Sequence, residues 1–65
     1  MMGPRFANGT KVDVYTINNR FAYSGKVVAS RLDGDRLTYD VESKNDGELH
    51  ENVPEWIVHE LVDQS

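Results

Sequence analysis

The two histidines and their neighbouring carboxylates are the residues of this sequence best suited to metal chemistry. His50 and His59 each lie beside a glutamate, Glu51 and Glu60, and imidazole and carboxylate groups both bind divalent metals. The histidines could meet if the segments that carry them were paired strands. Two such ligands do not fill a zinc shell, so we expect solvated histidines, no metal site and no cofactor.

Other catalytic patterns are missing or incomplete. The sequence has no cysteine, so it lacks a thiol nucleophile, a thiolate metal site and disulfides, and it has no His-Glu-x-x-His pair. Asp33-Gly34-Asp35 resembles the start of a calcium loop, but Leu37 occupies the next ligand position and the glycine is misplaced. The sequence therefore predicts a protein that is not an enzyme.

Charge limits the classes of partner. The formal net charge is -4, which disfavours general nucleic-acid binding. Residues 1 to 44 carry all seven Lys and Arg with five acids, whereas residues 45 to 65 carry six acids and no Lys or Arg. Separate faces for the two halves would leave a modest basic patch, whereas interleaved strands, which we expect, would mix the charges. A nucleic-acid module is kept as an alternative. Its phosphate contacts would be Lys11, Arg20, Lys26, Arg31 and Arg36.

Length and hydropathy favour one small intracellular domain. At 65 residues the chain has room for a single core. No apolar run approaches the roughly 20 residues that span a bilayer, and the N-terminal residues lack the apolar stretch of a signal peptide. We expect an intracellular protein without a membrane partner.

Alternating apolar and polar residues, separated by turn formers, predict an all-β fold. Asn18-Asn19, Asp33-Gly34 and Lys44 to Gly47 are the expected turns. The predicted strands cover residues 11 to 16, 21 to 30, about 37 to 41, 48 to 53 and 57 to 62. Gly25 would allow a bulge or a sharp bend in the second strand.

The segment after Pro54 has two interpretations. Proline ends the fourth strand, and residues 54 to 56 then suit a short 3₁₀ turn before the last strand. A C-terminal helix is the alternative, because Trp56, Ile57, Glu60 and Leu61 recur at helical spacing. We expect the domain to span residues 9 to 62, with residues 1 to 8 and 63 to 65 flexible.

Short motifs distributed along the chain resemble the Tudor and Agenet group of small SH3-like barrels. They are Gly9-x-x-Val12-x-Val14, Tyr23-x-Gly25-x-Val27, Tyr39-x-Val41, Asp46-Gly47-Glu48 and Glu51-x-Val53-Pro54. The resemblance covers about residues 9 to 62. It implies a five-stranded SH3-like barrel and, as in many members, an aromatic cage for a methylated lysine or arginine, held by cation–π attraction.

Carried over by position, Tyr23 falls at a cage position, while the other two aromatic positions fall on Thr16 and Ser43. Tyr15 lies one residue out of register, so its ring should face away unless a bulge shifts it. Phe21 and Trp56 could complete a different cluster, or the rings could close the ends of the core.

Lys44-Asn45-Asp46-Gly47 is similar to the tetrapeptide of the cytoskeleton-associated glycine-rich domains, which are also small barrels. In that family the lysine and asparagine help to hold acidic-aromatic C-terminal tails. The preceding glycine and the following aromatic segment are missing in this chain, and the four residues equally suit a plain turn.

We therefore expect a non-catalytic interaction module that binds a peptide or protein, with a cationic or methylated side chain as one possible ligand. Glu42, Asn45 and Asp46 would orient the ligand, and a structural subunit or homo-oligomer is a further alternative. The expected ligand-binding aromatic residues are Tyr15, Phe21, Tyr23, Tyr39 and Trp56.

Overall fold

The computed structural model describes residues 5–61, and these form an all-β fold. The elements are β1 (Lys11–Tyr15), β2 (Phe21–Asp33), β3 (Arg36–Ser43), β4 (Leu49–Pro54), a 3₁₀ turn (Glu55–Ile57) and β5 (Val58–Glu60). They make one antiparallel sheet in the order β4-β3-β2-β1-β5. The prediction of five strands with a 3₁₀ turn before the last is confirmed. Within the described residues β4 and β5 are the two edges of this sheet. They do not pair with each other, so the sheet is not closed.

The helical alternative after Pro54 is wrong. Residues 55–57 make a single 3₁₀ turn, and the chain is extended again from Val58, which pairs with Val14 of β1. Pairing with β1 uses the backbone groups that a helix would need for its own hydrogen bonds. Within the described residues, no helix is long and apolar enough to cross a membrane.

The long strand β2 joins the two halves of the sheet. Residues 21–26 pair with β1 and residues 25–33 pair with β3. Gly25 lies in the overlap, where a Cβ would collide with the carbonyl oxygen of Glu42 and lie 3.0 Å from Val41 Cγ1. The register of β2 shifts against β3 between Val27 and Ala29. It shifts against β1 opposite Val14 and Tyr15, so neither shift occurs at Gly25. Glycine is required at this position because two backbones pass close together.

The core consists mainly of valines on the inward positions of the strands. Val12 and Val14 are buried, as the alternation in β1 predicts. Tyr39 is the largest fully buried side chain. The buried apolar residues are Phe6, Val12, Val14, Val27, Tyr39, Val41, Val53 and Val58.

Arg5 and Phe6 belong to the packed domain, which corrects the predicted boundary at residue 9. Phe6 is only 4% exposed, and its ring centroid lies 5.3 Å from that of Tyr39. The Tyr39 hydroxyl accepts the N–H groups of Arg5 at 2.8 Å and of Phe6 at 3.2 Å. Sequence alternation missed this because Phe6 precedes the first strand. Residues 1–4 and 62–65, including the predicted flexible C-terminus, lie outside the described residues.

The packing of Phe6 predicts a large effect of its removal. Phe6→Ala should lower the free energy of unfolding by about 3 kcal/mol, as for other buried phenylalanines. Deletion of residues 1–8 should have at least this effect, whereas deletion of residues 1–3 is the control that retains Phe6. Urea unfolding measures all three, and equal stability of the two deletions would contradict a domain boundary that lies before Phe6.

The close passage at Gly25 predicts that a single methyl group is not tolerated. Gly25→Ala should destabilise the fold by about 3 kcal/mol, because β2 and β3 must separate to admit the Cβ. Gly47→Ala is the matched control, since Gly47 has φ +70° but nothing within 4 Å of its would-be Cβ. The control should cost about 1 kcal/mol from the backbone conformation alone. A smaller effect at position 25 than at position 47 would show that the two strands can separate at little cost.

Candidate binding surface

Tyr39 is not available to a ligand, which corrects one of the predicted binding residues. Its side chain has no exposed surface, and its hydroxyl is engaged by the N-terminal segment. The motif Tyr39-x-Val41 describes core positions of β3, where both residues are fully buried. The aromatic residue at position 39 therefore serves the packing of the core and not the binding of a ligand.

Two of the predicted aromatic residues, Tyr15 and Phe21, come together on the face of the sheet opposite the core. The register of β1 and β2 shifts so that Tyr15 lies opposite Phe21 and Val14 lies opposite Tyr23, leaving Ala22 as the extra residue. The rings of Tyr15 and Phe21 meet edge to face with centroids 5.9 Å apart. The bulge thus supplies an aromatic pair that strict alternation would separate.

His59 extends this pair into a row across three strands. It lies on β5 opposite Asp13, and its ring meets that of Tyr15 edge to face at 4.9 Å. The sequence predicted His59 as a solvated strand histidine, with a metal ligand as the alternative and no aromatic contact. His59 lies beside Tyr15 because β1 pairs with β5. The spacing of residues along the chain does not predict that pairing. We call His59, Tyr15 and Phe21 the aromatic row.

Tyr23 lies on the core-facing side of the sheet, so its ring does not form an aromatic pocket with Tyr15 and Phe21. It packs against the core and stacks on His50 of β4, with ring centroids 4.3 Å apart and planes 24° from parallel. Burial raises the pKa of Tyr23. Of the other two cage positions, Thr16 accepts the N–H groups of Asn18 and Arg20, and Ser43 is buried. A three-ring cage around Tyr23 is therefore not assembled.

The two histidines lie apart in the sheet. His50 is on β4 and His59 on β5, the two edges of the sheet, and each packs against a different tyrosine. Among residues 5–61, no cluster of three or more His, Asp or Glu side chains could hold a metal ion. The sequence allowed the two histidines to meet only if their strands were paired. Those strands are not paired, so the histidines do not meet.

A groove beside the aromatic row contains three lysines. Lys11 and Lys26 are directly opposite each other in the β1–β2 ladder, and Lys44 comes from the turn after β3. The Lys44 N–H donates to the Ser24 carbonyl at 2.8 Å, which holds this turn over the strand. The groove has a volume of about 630 Å³, and Phe21 and Leu61 provide its exposed apolar surface. We call it the lysine groove.

The predicted orienting residues divide between this groove and the turn. Glu42 and Asn45 line the lysine groove, and Glu42 lies 3.7 Å from Lys26 Nζ. Asp46 instead accepts the N–H of Glu48 at 3.0 Å, and this bond lowers the pKa of Asp46. The carboxylate of Asp46 therefore stabilises the turn.

The five basic residues proposed for nucleic acid do not share one surface. Lys11 and Lys26 line the lysine groove, whereas Arg31 and Arg36 line a second groove. Arg20 lies in the turn between β1 and β2. The guanidinium of Arg31 is already paired with carboxylates of its own chain.

An ionic cluster in which Asp40 is buried and Arg31 and Glu51 are exposed was not predicted. Asp40 is 3% exposed and accepts hydrogen bonds from Arg31 Nη2 at 2.8 Å and from the Asn52 N–H at 3.1 Å. Arg31 Nη2 also donates to Glu51 Oε2 at 3.3 Å. Asn52 has a φ of 58° at an irregularity where β4 has one residue more than β3. The Asp40 carboxylate thus binds an N–H at the point where the regular ladder is interrupted.

The hydrogen bonds from Arg31 lower the pKa of Asp40, and that from Asn52 acts in the same direction against the effect of burial. The Asp33-Gly34 hairpin contained a usable signal for this cluster. Its register places Arg31 opposite Thr38, so Arg31 is diagonal to Asp40, two residues further along β3. No pattern in the sequence predicted the positive φ of Asn52.

The second groove lies between the β2–β3 turn and the 3₁₀ turn. Leu32, Leu37, Pro54 and Trp56 provide its apolar lining, and its volume is about 1000 Å³. Trp56 is 65% exposed and so is accessible to a partner. Its ring is not part of the ring pairs that Phe6, Tyr15 and Tyr23 form in the described part of the chain. We call this the tryptophan groove.

Comparisons of the chain with protein-family models, curated proteins and solved structures find no match.

The Asp40 cluster predicts a specific dependence of stability on pH. Because the pKa of Asp40 is depressed in the folded state, its contribution is present above about pH 5 and is lost as the pH falls below about 4. Asp40→Asn should lower the free energy of unfolding by about 2 kcal/mol at pH 7. Urea unfolding of both proteins should show this difference shrinking toward pH 3.

Asp35→Asn is the control, because Asp35 is exposed and has no ion pair among residues 5–61. It should change stability little at either pH. A difference between wild type and Asp40→Asn that stays constant from pH 7 to pH 3 would contradict a stabilising role of the Asp40 charge.

Proposed function

We propose that this chain is a small, non-catalytic SH3-like barrel module of Tudor-like type, and that its lysine groove binds an acidic segment of a protein partner. The observation that carries the proposal is the pair Lys11 and Lys26, directly opposite in the ladder, with Lys44 in the same groove. Phe21, 57% exposed, offers an apolar contact beside these charges.

The barrel interpretation is supported by the strand order and by the double role of β2. In a curled sheet of this size one long strand belongs to both halves, as β2 does with β1 and β3. The Tyr23–His50 stack joins β2 to β4, which are not neighbours in the sheet. Such a contact requires the sheet to curve toward its core face.

The lysine pair costs stability in the free protein, which supports a binding role. Like charges directly opposite in an antiparallel ladder repel each other. Glu42 offsets little of this, because its 3.7 Å contact with Lys26 is between two exposed side chains. Departures from the most stable sequence are typical of functional sites. An acidic ligand would relieve the repulsion.

An acidic protein segment fits the groove better than the other ligands considered. A methylated lysine would meet three like charges and, in the aromatic row, no cage. A nucleic acid would need a longer basic track, whereas the arginines lie elsewhere and the chain has a net charge of -4. A short segment with two or three acids and one apolar side chain matches the charge and size of the groove.

The lining of the groove also supports binding without catalysis. Ser24 Oγ donates to Asp13 Oδ1 at 2.6 Å, and no histidine is among the described residues that line the groove. The Ser24 hydroxyl is therefore engaged by a carboxylate of its own chain, and the described lining has no serine–histidine pair of the kind that activates a nucleophile.

Peptide titration tests the proposal. A fluorescein-labelled peptide with four glutamates around one phenylalanine should bind with a dissociation constant below about 1 mM at low salt, and Lys11→Glu should weaken binding about tenfold. Fluorescence anisotropy measures both. Lys11→Glu should also raise the free energy of unfolding by about 0.5 kcal/mol, because it removes the lysine repulsion. Loss of binding with a gain of stability cannot come from unfolding.

Arg36→Glu is the matched control, because it makes the same charge change outside the lysine groove, and its peptide affinity should stay within about twofold of wild type. An octamer of uridine and a trimethyl-lysine peptide test the alternative ligands. The proposal fails if the acidic peptide does not bind, or if either alternative ligand binds more tightly.

A further inference from the structure

The tryptophan groove exposes a large aromatic ring. Trp56, on the 3₁₀ turn, is 65% exposed, and Leu32, near the end of β2, is 63% exposed. Within residues 5–61 the indole of Trp56 has no cation–π contact, since the contact observed there is that of Arg5 over Phe6. Tryptophan offers a cation the best aromatic face and is enriched among the residues that dominate binding energy. The ring is therefore available to a cation from a partner.

Acids flank the tryptophan groove on two sides. Asp33 and Asp35 lie at the turn from β2 to β3, whereas Glu55 lies on the 3₁₀ turn across the groove. None of the three has an ion pair among residues 5–61. Their carboxylates can therefore accept hydrogen bonds from a bound ligand without first breaking an internal ion pair.

The arginines of the lining leave these acids in excess. Arg31 Nη2 lies 2.8 Å from Asp40 Oδ2 and 3.3 Å from Glu51 Oε2, so the charge of Arg31 is already balanced within the chain. Arg36 is then the unpaired cation that faces the three acids. Counted together, the described lining and the Arg31 cluster have two arginines against five acids, a net charge of -3. The lysine groove, with which this surface shares no lining residue, has the opposite sign.

We propose that the tryptophan groove binds a basic segment of a partner protein, with an arginine of that segment stacked on Trp56. The planar guanidinium group stacks on aromatic rings and donates paired hydrogen bonds to carboxylates, so arginine fits both features of the groove. Further cations of the segment meet the remaining acids, and an apolar side chain covers Leu32. The groove volume of about 1000 Å³ has room for several such side chains.

The sign of the charge selects a basic segment over other occupants. An acidic segment, a nucleic acid and a second copy of the same groove would each add negative charge to a surface with unpaired acids. An uncharged apolar segment would desolvate the acids without giving them a partner. A basic segment covers the apolar surface and neutralises the acids at the same time. Its binding is independent of the acidic ligand proposed for the lysine groove, because the two grooves are separate.

The groove should prefer unmodified arginine to methylated arginine. No ring pair within residues 5–61 includes Trp56, so a single ring and not a cage faces the ligand. A methylated cation gains from a cage, whereas a single ring beside carboxylates favours a ligand with N–H donors. Methylation retains the charge of arginine but blocks its paired hydrogen bonds. Dimethylation of the ligand should therefore weaken binding.

Peptide titration of the full chain tests the proposal. An octapeptide with four arginines around one leucine should bind with a dissociation constant below about 1 mM at low salt. Trp56 emission should shift to the blue over the same titration, because Trp56 is the one tryptophan of the sequence and the peptide covers it. Asymmetric dimethylation of the four arginines should weaken binding at least about threefold. The acidic peptide used for the lysine groove should leave Trp56 emission unchanged.

Four variants, measured by anisotropy of the labelled arginine peptide, locate the site. Arg36→Glu should tighten binding about threefold, because it removes a competing cation, and such a gain cannot come from unfolding. Asp35→Lys should weaken binding about fivefold. Glu48→Lys, the same change at an exposed acid that lines neither groove, is the matched control and should stay within about twofold of wild type. Trp56→Ala should weaken binding at least about fivefold.

Three results with these peptides would overturn the inference. They are absence of binding at low salt, an affinity that Trp56→Ala leaves unchanged, and tighter binding of the dimethylated peptide. Sedimentation velocity adds a fourth: a mass that rises with concentration in wild type but not in Trp56→Ala would assign the groove to a second copy. Circular dichroism verifies that each variant is folded. Failure of the acidic peptide to bind would count against the lysine groove alone, because the two titrations use different ligands.

Discussion

The close passage of β2 over the backbone of Glu42 is the constraint on which the rest of the structure depends. With Gly25 in this position, β2 pairs with β1 on one side and β3 on the other within the same few residues. The shared strand gathers valines from both halves into one core and brings Lys26 opposite Lys11. The proposed binding groove is therefore a direct consequence of the same strand sharing that assembles the core.

Buried polar groups in this small domain are paired, and each pair fixes an irregular part of the chain. The Tyr39 hydroxyl holds the backbone at Arg5 and Phe6, and Asp40 holds Asn52 where the β3–β4 ladder is interrupted. In the described part of the chain, no buried side-chain nitrogen or oxygen lacks a hydrogen-bond partner. Without disulfides, these bonds and a valine-rich core define a single conformation.

The aromatic residues have separate tasks that their types alone did not distinguish. Tyr39 fills the core, Tyr23 closes one side of it against His50, and Tyr15 and Phe21 meet on the opposite face. Trp56 projects beside a separate groove with charges of both signs. The described residues thus present two dissimilar grooves, one lined by three lysines and the other by Trp56 with charges of both signs.

The sequence by itself determined the local features of this protein. Alternation in Val12 to Val14, the Asp33-Gly34 turn and the stop at Pro54 predicted the strands, because these signals depend on neighbours along the chain. Tertiary structure alone decided which rings meet, that Phe6 belongs to the core, and that Lys11 faces Lys26. Those outcomes depend on a one-residue shift of register opposite Tyr15 and on contacts between residues more than 30 positions apart. A shift of one residue reverses the face of every side chain beyond it, so residue spacing alone does not specify the site.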